Sequence, residues 1–337
     1  MGGPMASPMK PPETVDEFLA ACGWAGARVE PLAGDASFRR YFRVILDDGR
    51  QAVLMDAPPP HEDPQPFISV AEWLVSVGLS APEILARDLE RGLLLLDDFG
   101  DDRLREALDN SPERERGLYE LATDVLVHLH RCSPMPNLPV HGLKQWLDEL
   151  MLFPDWYCRA IDLDVDVDSY RAAWTEALEP VAGDGLGPVT VLRDYHAENI
   201  MLVEGREGVA HFGLLDFQDA LAGHPAYDLA SVLEDARRDV PPVLERAMLD
   251  RYIAATGRNE AFERAYWALA AQRNTRILGV FTRLWKRDHK PWYRRFQPRM
   301  WGLLERDLQH MAHAPVRDWF DANVPVSARR APWQEAA

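Results

Sequence analysis

The spacing of apolar residues changes near position 100, and this change limits what the chain can fold into more than any other feature. Ahead of it, apolar residues stand in short blocks such as Leu93, Leu94, Leu95 and Leu96, which suit buried strands. From about Arg103 onward they recur at helical intervals; Leu118, Leu121, Ala122, Val125 and Leu129 line one face of a helix. A chain of 337 residues is long enough to bury two cores. The reading is an α+β, bilobal chain. A flexible leader over 1–12 precedes a small β-rich N-lobe over 13–99 and a larger, mainly helical C-lobe over 100–337.

In the first lobe the pattern predicts a helix over 14–22, with Thr14 as N-cap and Glu17 at the capping-box position. Strands follow over 38–45 and 51–55, joined by the hairpin turn Asp47, Asp48, Gly49. A helix over 67–77 ends at Gly78, and strands over 82–86 and 92–96 complete the lobe. In the second lobe, helices are expected over 143–153, interrupted at Pro154, and over 226–236, 243–256, 260–285 and 298–312. Asp162, Asp164, Asp166 and Asp168 read as a solvated connection, and His128 and His130 as structural residues.

Composition narrows the partners. Apolar residues make up 47% and charged residues 27%, as in ordinary globular proteins. No apolar run reaches membrane-spanning length, and the N-terminus lacks the apolar core of a signal peptide. Cys22, Cys132 and Cys158 have no metal-binding spacing, so a cytoplasmic location without disulfides is expected. A net charge of −17 argues against nucleic acid, which needs a basic surface. The expected partners are small molecules, with neither nucleic acid nor membrane.

The chemistry is concentrated in two segments. One runs over 191–199 and carries Asp194 and, after four intervening residues, Asn199. The other follows the apolar run Gly213, Leu214, Leu215 and reads Asp216, Phe217, Gln218, Asp219. Protein kinases carry the same arrangement of a catalytic-loop Asp, an Asn five positions on and a metal-binding Asp at a strand end. Phosphoryl transfer needs positioning and charge neutralisation more than covalent help. Asp194 suits the proton of an attacking hydroxyl. Asn199 and Asp216 offer hard oxygens to Mg2+, which takes a few protein oxygens beside phosphate and water. Gly34 and Ser37 resemble a phosphate-covering loop entering a strand. Asp97 and Phe99 follow a buried strand, where a hinge would offer its backbone to adenine.

The order of elements and these motifs resemble the aminoglycoside phosphotransferase family. The resemblance runs from about 30 to 300, through segments beginning at Gly34, Leu54, Leu152, Leu192, Leu215, Tyr227 and Gly279. It implies a protein-kinase-like bilobal fold that phosphorylates small-molecule hydroxyls, with ATP as co-substrate and Mg2+ as cofactor. By residue, it implies that Asp194 is the base, that Asn199 and Asp216 are the metal ligands, and that Asp228 braces the catalytic loop. Within the family the segments are most similar to the anomeric sugar kinases of cell-wall recycling. That implies transfer to the 1-hydroxyl of N-acetylmuramate and N-acetylglucosamine.

Two departures from the family stand out. Many members place a Lys where this chain has Met55, which leaves Glu72 without its usual partner. Arg39 and Arg43, on one side of a strand with Tyr41, are the candidate replacements for phosphate binding. Leu192 and Arg193 stand where members often have His and Gly. A carboxylate-bearing sugar would also favour an acceptor cation. Arg276 and Arg283, seven residues apart in a basic and aromatic stretch, are the candidates, with Glu149 and Trp156 as further acceptor-site residues. Two alternatives stay open: a kinase of aminoglycosides or other small amino alcohols, and an inactive nucleotide-binding regulatory module.

Overall fold

The structure, a computed structural model, describes residues 10–32, 39–311 and 314–330. The chain divides into two units. One comprises residues up to Ala107 together with Glu198–Asp219, the other Leu108–Ala197 and the chain from Ala220 onward. A sheet dominates the first and helices the second, which is the bilobal α+β architecture expected from the apolar spacing.

The first unit begins with helix α1 (Val15–Ala21), then strands β1 (Arg28–Pro31), β2 (Arg40–Ile45) and β3 (Gln51–Asp56). Helix α2 (Gln65–Ser76) and strands β4 (Ile84–Asp88) and β5 (Leu93–Leu96) follow. The strands form one antiparallel sheet in the order β1-β2-β3-β5-β4. Alternation along the strands sends Phe42, Val44, Ala52, Leu54, Leu93 and Leu95 to one face, where α1 and Trp24 cover them. Each large side chain buried there contributes about 1.5–3 kcal/mol relative to exposure. Strand β1 escapes the sequence pattern because it is an edge strand with three of its four residues exposed. Thr14 occupies the N-cap of α1, but its side chain makes no capping bond. Its backbone (φ −85°, ψ 0°) departs from the extended form in which an N-cap hydroxyl reaches the first helical amides. The later segment of this unit is a hairpin of Ile200–Leu202 and Phe212–Leu214, tied to Ser80 by a 2.7 Å bond from Leu214 N.

Helix α3 (Leu104–Asn110) contains the division between the units. The second unit continues with α4 (Glu115–Arg131), α5 (Leu143–Leu150), α6 (Val167–Ala182), α7 (Ala226–Leu233), α8 (Pro242–Thr256), α9 (Glu260–Lys286), α10 (Gln297–His310), α11 (Ala314–Asn323) and α12 (Val326–Arg330). Helix α9 is the axis, and α5, α6, α7 and α10 all pack on it. The interruption expected at Pro154 is not a break in helical winding. Phe153–Cys158 winds on from α5 as a π-helical turn, and a proline near its start costs no needed N–H. Gly279 lets α9 approach this turn. A Cβ there would lie 2.7 Å from Leu152 Cβ and run into its carbonyl. The acidic run is also more than a solvated connection, because Asp166 caps α6 by accepting from the amides of Asp168 (3.1 Å) and Ser169 (3.2 Å). His130 is structural as expected, buried and bonded through Nδ1 to Tyr252 Oη at 2.7 Å. Among the described residues no helix is long and apolar enough to cross a membrane.

Candidate active site

In the helical unit, Asp194 sits half-buried just beyond the short strand Val189–Val191. Asp228, fully buried in the first turn of α7, accepts from Leu192 N at 2.6 Å and Arg193 N at 2.9 Å. Burial pushes its carboxyl up to about 7, against the pull of those two amides. Tyr195 anchors the next position by donating to Ala122 O at 2.9 Å, and Asp235 accepts from Ala197 N at 3.4 Å. His196 is held neutral by burial, which lowers it to about 4, and it receives a bond from Arg237 at 3.3 Å. The loop therefore has fixed points on both sides of Asp194.

Asn199 and Asp216 belong to the first unit. Asn199 closes a 3₁₀ turn over Ala197–Asn199, and Asp216 follows Phe212–Leu214 with φ +56°. The Asn199 amide lies 3.4 Å from Asp216 Oδ2, and Gln218 donates to Asp216 Oδ1 at 2.7 Å. The structure brings the two predicted metal ligands together. Their donor set, one carboxylate and one amide oxygen, fits Mg2+ held chiefly by nucleotide phosphates. No cluster of three or more His, Cys, Asp or Glu with metal-site geometry occurs among the described residues. Asp219 is exposed beside them.

The nucleotide-loop residues Gly34 and Ser37 lie outside the described residues. Arg39 pairs with Glu62 at 3.1 Å. Beside it, burial lifts the Tyr41 hydroxyl to about 12, with Arg39 opposing and the Asp216 charge adding to the rise. Arg43 is turned to another task. Its guanidinium bonds Asp98 at 2.7 Å, Asp101 at 2.9 Å and Gly100 O at 3.1 Å, clamping the segment after β5. Met55 is completely buried opposite Tyr41. Glu72 points outward toward Arg87 at 3.6 Å. Asp97 donates its N–H to Glu83 O at 2.9 Å and pairs its carboxylate with Arg206 at 3.0 Å. Phe99 packs with Met201 and Val203.

Of the acceptor-site residues, Glu149 is the most engaged. Arg193 reaches one of its oxygens at 3.0 Å, while His141 and Arg276 approach the other at 3.4 and 3.5 Å. Arg276 and Arg283 share a face of α9, and burial, followed by the charges of Arg287 and Arg276, lowers the Arg283 pKa. Trp156 is half-buried in the π-helical turn. Arg193 and His141 escaped the sequence reading. The one signal was an arginine at a position where the family often has glycine.

A sheet-based unit and a mainly helical unit are the kinase-like architecture of a small-molecule phosphotransferase. The chain belongs to the phosphotransferase enzyme family, whose model matches residues 28–268. Its relatives include an N-acetylmuramate/N-acetylglucosamine kinase of Caulobacter vibrioides, 39% identical over 93% of this chain and 96% of that one. A kinase of the same name from Pseudomonas aeruginosa is 38% identical, covering 86% of this chain and 87% of its own. Among solved structures, ADP-bound aminoglycoside phosphotransferase APH(2'')-Ib matches with TM-score 0.55 at 13% identity, over 84% of this chain and 94% of that one. An ethanolamine kinase of Plasmodium vivax matches with TM-score 0.60 at 12% identity, over 83% and 81%. These two likenesses concern the fold.

Proposed function

We propose that the protein is an ATP-dependent kinase that phosphorylates the anomeric 1-hydroxyl of N-acetylmuramate and N-acetylglucosamine during cell-wall recycling. The observation that carries this reading is the likeness, at 33–39% identity over most of the chain, to four kinases named for those two sugars. The chain also retains Asp194, Asn199 and Asp216 in the family's pattern.

Asp194 accepts the proton of the attacking hydroxyl and orients it, and Asp228 braces the loop that carries it. Asn199 and Asp216 hold Mg2+, which, when bound, offsets the charge of the phosphate oxygens. Arg39, beside Tyr41, which itself feels the Asp216 charge, is the better placed of the two N-lobe arginines to meet phosphate, with Gly34 and Ser37 supplying the covering loop. Asp97 and Phe99 flank adenine. Arg43 clamps the segment after β5, and the lobes are assigned over 13–99 and 100–337 after a leader over 1–12. On the acceptor side, Arg276 and Arg283 attract the lactyl carboxylate of N-acetylmuramate and Trp156 offers a face to the sugar ring. The enzyme works in the cytoplasm on small molecules, without nucleic acid.

Magnesium-dependent ADP release with ATP and N-acetylmuramate, N-acetylglucosamine, kanamycin or choline tests the reading. Turnover with the two acetylated sugars, accompanied by loss of their reducing ends, is the expected result. Turnover with the amines alone would replace the substrate class. Silence across the panel with ATP still bound would favour a regulatory module.

A further inference from the structure

The backbone immediately before Asp194 is wound against its natural hand. Asp194 N donates to Leu192 O at 2.9 Å, closing a three-residue turn whose central residue, Arg193, has φ +73°. This form of γ-turn is rare because a β-carbon crowds the carbonyl in it. Glycine would adopt it freely, yet the chain places arginine there.

The side chain supplies a reason for the arginine. Its Nη2 donates to Glu149 Oε1 at 3.0 Å, reaching across to the last turn of α5. Glu149 is itself fixed by His141 Nε2 and Arg276 Nε on its second oxygen. Only 11% of the Glu149 side chain is exposed, so it forms part of the protein interior more than of a sugar-binding surface. Burial favours its neutral form. The bond from His141 and the charges of Arg276 and Arg193 outweigh that and bring the carboxyl down to about 2. It therefore stays ionised wherever the enzyme operates. Two amides of the turn are separately pinned by Asp228.

We propose that Arg193 and Glu149 are a positioning pair. Their ion pair tethers the Leu192–Asp194 turn to α5, holds it in its left-handed form and so fixes the direction in which Asp194 presents its carboxylate. The inference rests on the assignment of Asp194 as the base, and it makes Glu149 an internal partner of the loop instead of a sugar ligand.

Four full-length variants test it: Arg193→Gly, Arg193→Lys, Glu149→Gln and the double variant Arg193→Gly/Glu149→Gln. Glycine relieves the backbone while cutting the tether, so Arg193→Gly should melt close to the parent temperature. Its kcat should fall ten- to a hundredfold, as misplacement of a reacting group by about 1 Å does, with KM for ATP unchanged. Glu149→Gln should lose a similar factor. The double variant should be no slower than the worse single, because both remove one contact, and Arg193→Lys should recover part of the rate. Parental kcat in Arg193→Gly, or losses that multiply in the double variant, would overturn the pairing. Should Arg193→Gly fail to fold, Glu149→Gln against Arg193→Lys decides by the same kcat and KM readout. Asp194→Asn separates this from the underlying assignment: undiminished turnover there removes Asp194 as base, whatever Arg193 does.

Discussion

Glu234, Glu245 and Asp307 are between 0 and 2% exposed and lie together behind α7. Arg306 pairs with Glu234 at 3.1 Å and Glu245 at 2.8 Å, Asn274 donates to Asp307 at 2.7 Å and Tyr266 to Glu245 at 2.9 Å. Burial, with the Glu234 charge adding to it, pushes Glu245 up to about 8; burial raises Asp307 to about 7 against the bonds from Glu234 and Asn274; and burial with the Asp307 charge raises Glu234 well above the ordinary range. The folded protein therefore keeps protons that the unfolded chain has released above roughly pH 4.5. The stability tied to these protons is complete below that pH and is lost as pH rises through about 7 to 8. Each extra proton held by the fold lowers the unfolding free energy by about 1.4 kcal/mol per pH unit. His130 and His196, lowered to about 3 and 4 by burial, work the other way. Their contribution is present above roughly pH 6.5 and lost below it, so the carboxyl effect is clean only on the alkaline side. Urea unfolding followed by tryptophan fluorescence between about pH 6.5 and 8.5 should show falling stability. Asp307→Asn, which keeps the shape and removes one acid, should flatten the slope by up to about 1.4 kcal/mol per pH unit. Stability that rises over that window, or a parental slope in Asp307→Asn, would refute the reasoning.

Other perturbations follow from single contacts. Gly279→Ala drives a methyl into the Leu152 backbone and should cost about 1–3 kcal/mol, read as a lowered melting temperature. Asp228→Ala strands the amides of Leu192 and Arg193 in a buried site. At about 1–3 kcal/mol for each unsatisfied group, it should destabilise the helical unit and abolish turnover. Arg283→Ala should reduce kcat/KM for N-acetylmuramate more than for N-acetylglucosamine, and equal losses in parallel assays would remove its carboxylate role. Arg43→Ala releases Asp98, Gly100 and Asp101 together. It should raise KM for ATP and speed amide hydrogen exchange over residues 97–101.

The legible parts of this protein were those in which one local pattern had one physical outcome. The block Leu93–Leu96 is a strand buried at every position, and Leu118, Ala122, Val125 and Leu129 of the predicted stripe lie on the buried face of α4, with Leu121 half-buried beside them. The pairing of Asn199 with Asp216 was readable because an apolar strand leads directly into Asp216. Tertiary choices were harder to read. Arg39 and Arg43 stand at alternating positions of the sequence pattern, yet Arg39 lies just ahead of β2 and bonds Glu62, while Arg43 lies within it and clamps Asp98. The pattern did not separate them, since both partners are distant in sequence. Asp166 as a helix cap was hidden among other aspartates, and β1 lacked an apolar signature. Glu149 drew notice as an acidic residue near an aromatic segment, but its partners come from three separate places in the chain.

The buried methionine of β3 has a pharmacological consequence. Between Lys10 and Lys144 the sequence contains no lysine, and Met55 fills the strand position where kinases of many kinds carry an amine. An electrophile delivered on an ATP-like scaffold to acylate that amine would find a thioether sealed from solvent. The enzyme should pass untouched through a reagent that captures lysine-bearing kinases from the same extract. Selective covalent ligands would need a different anchor.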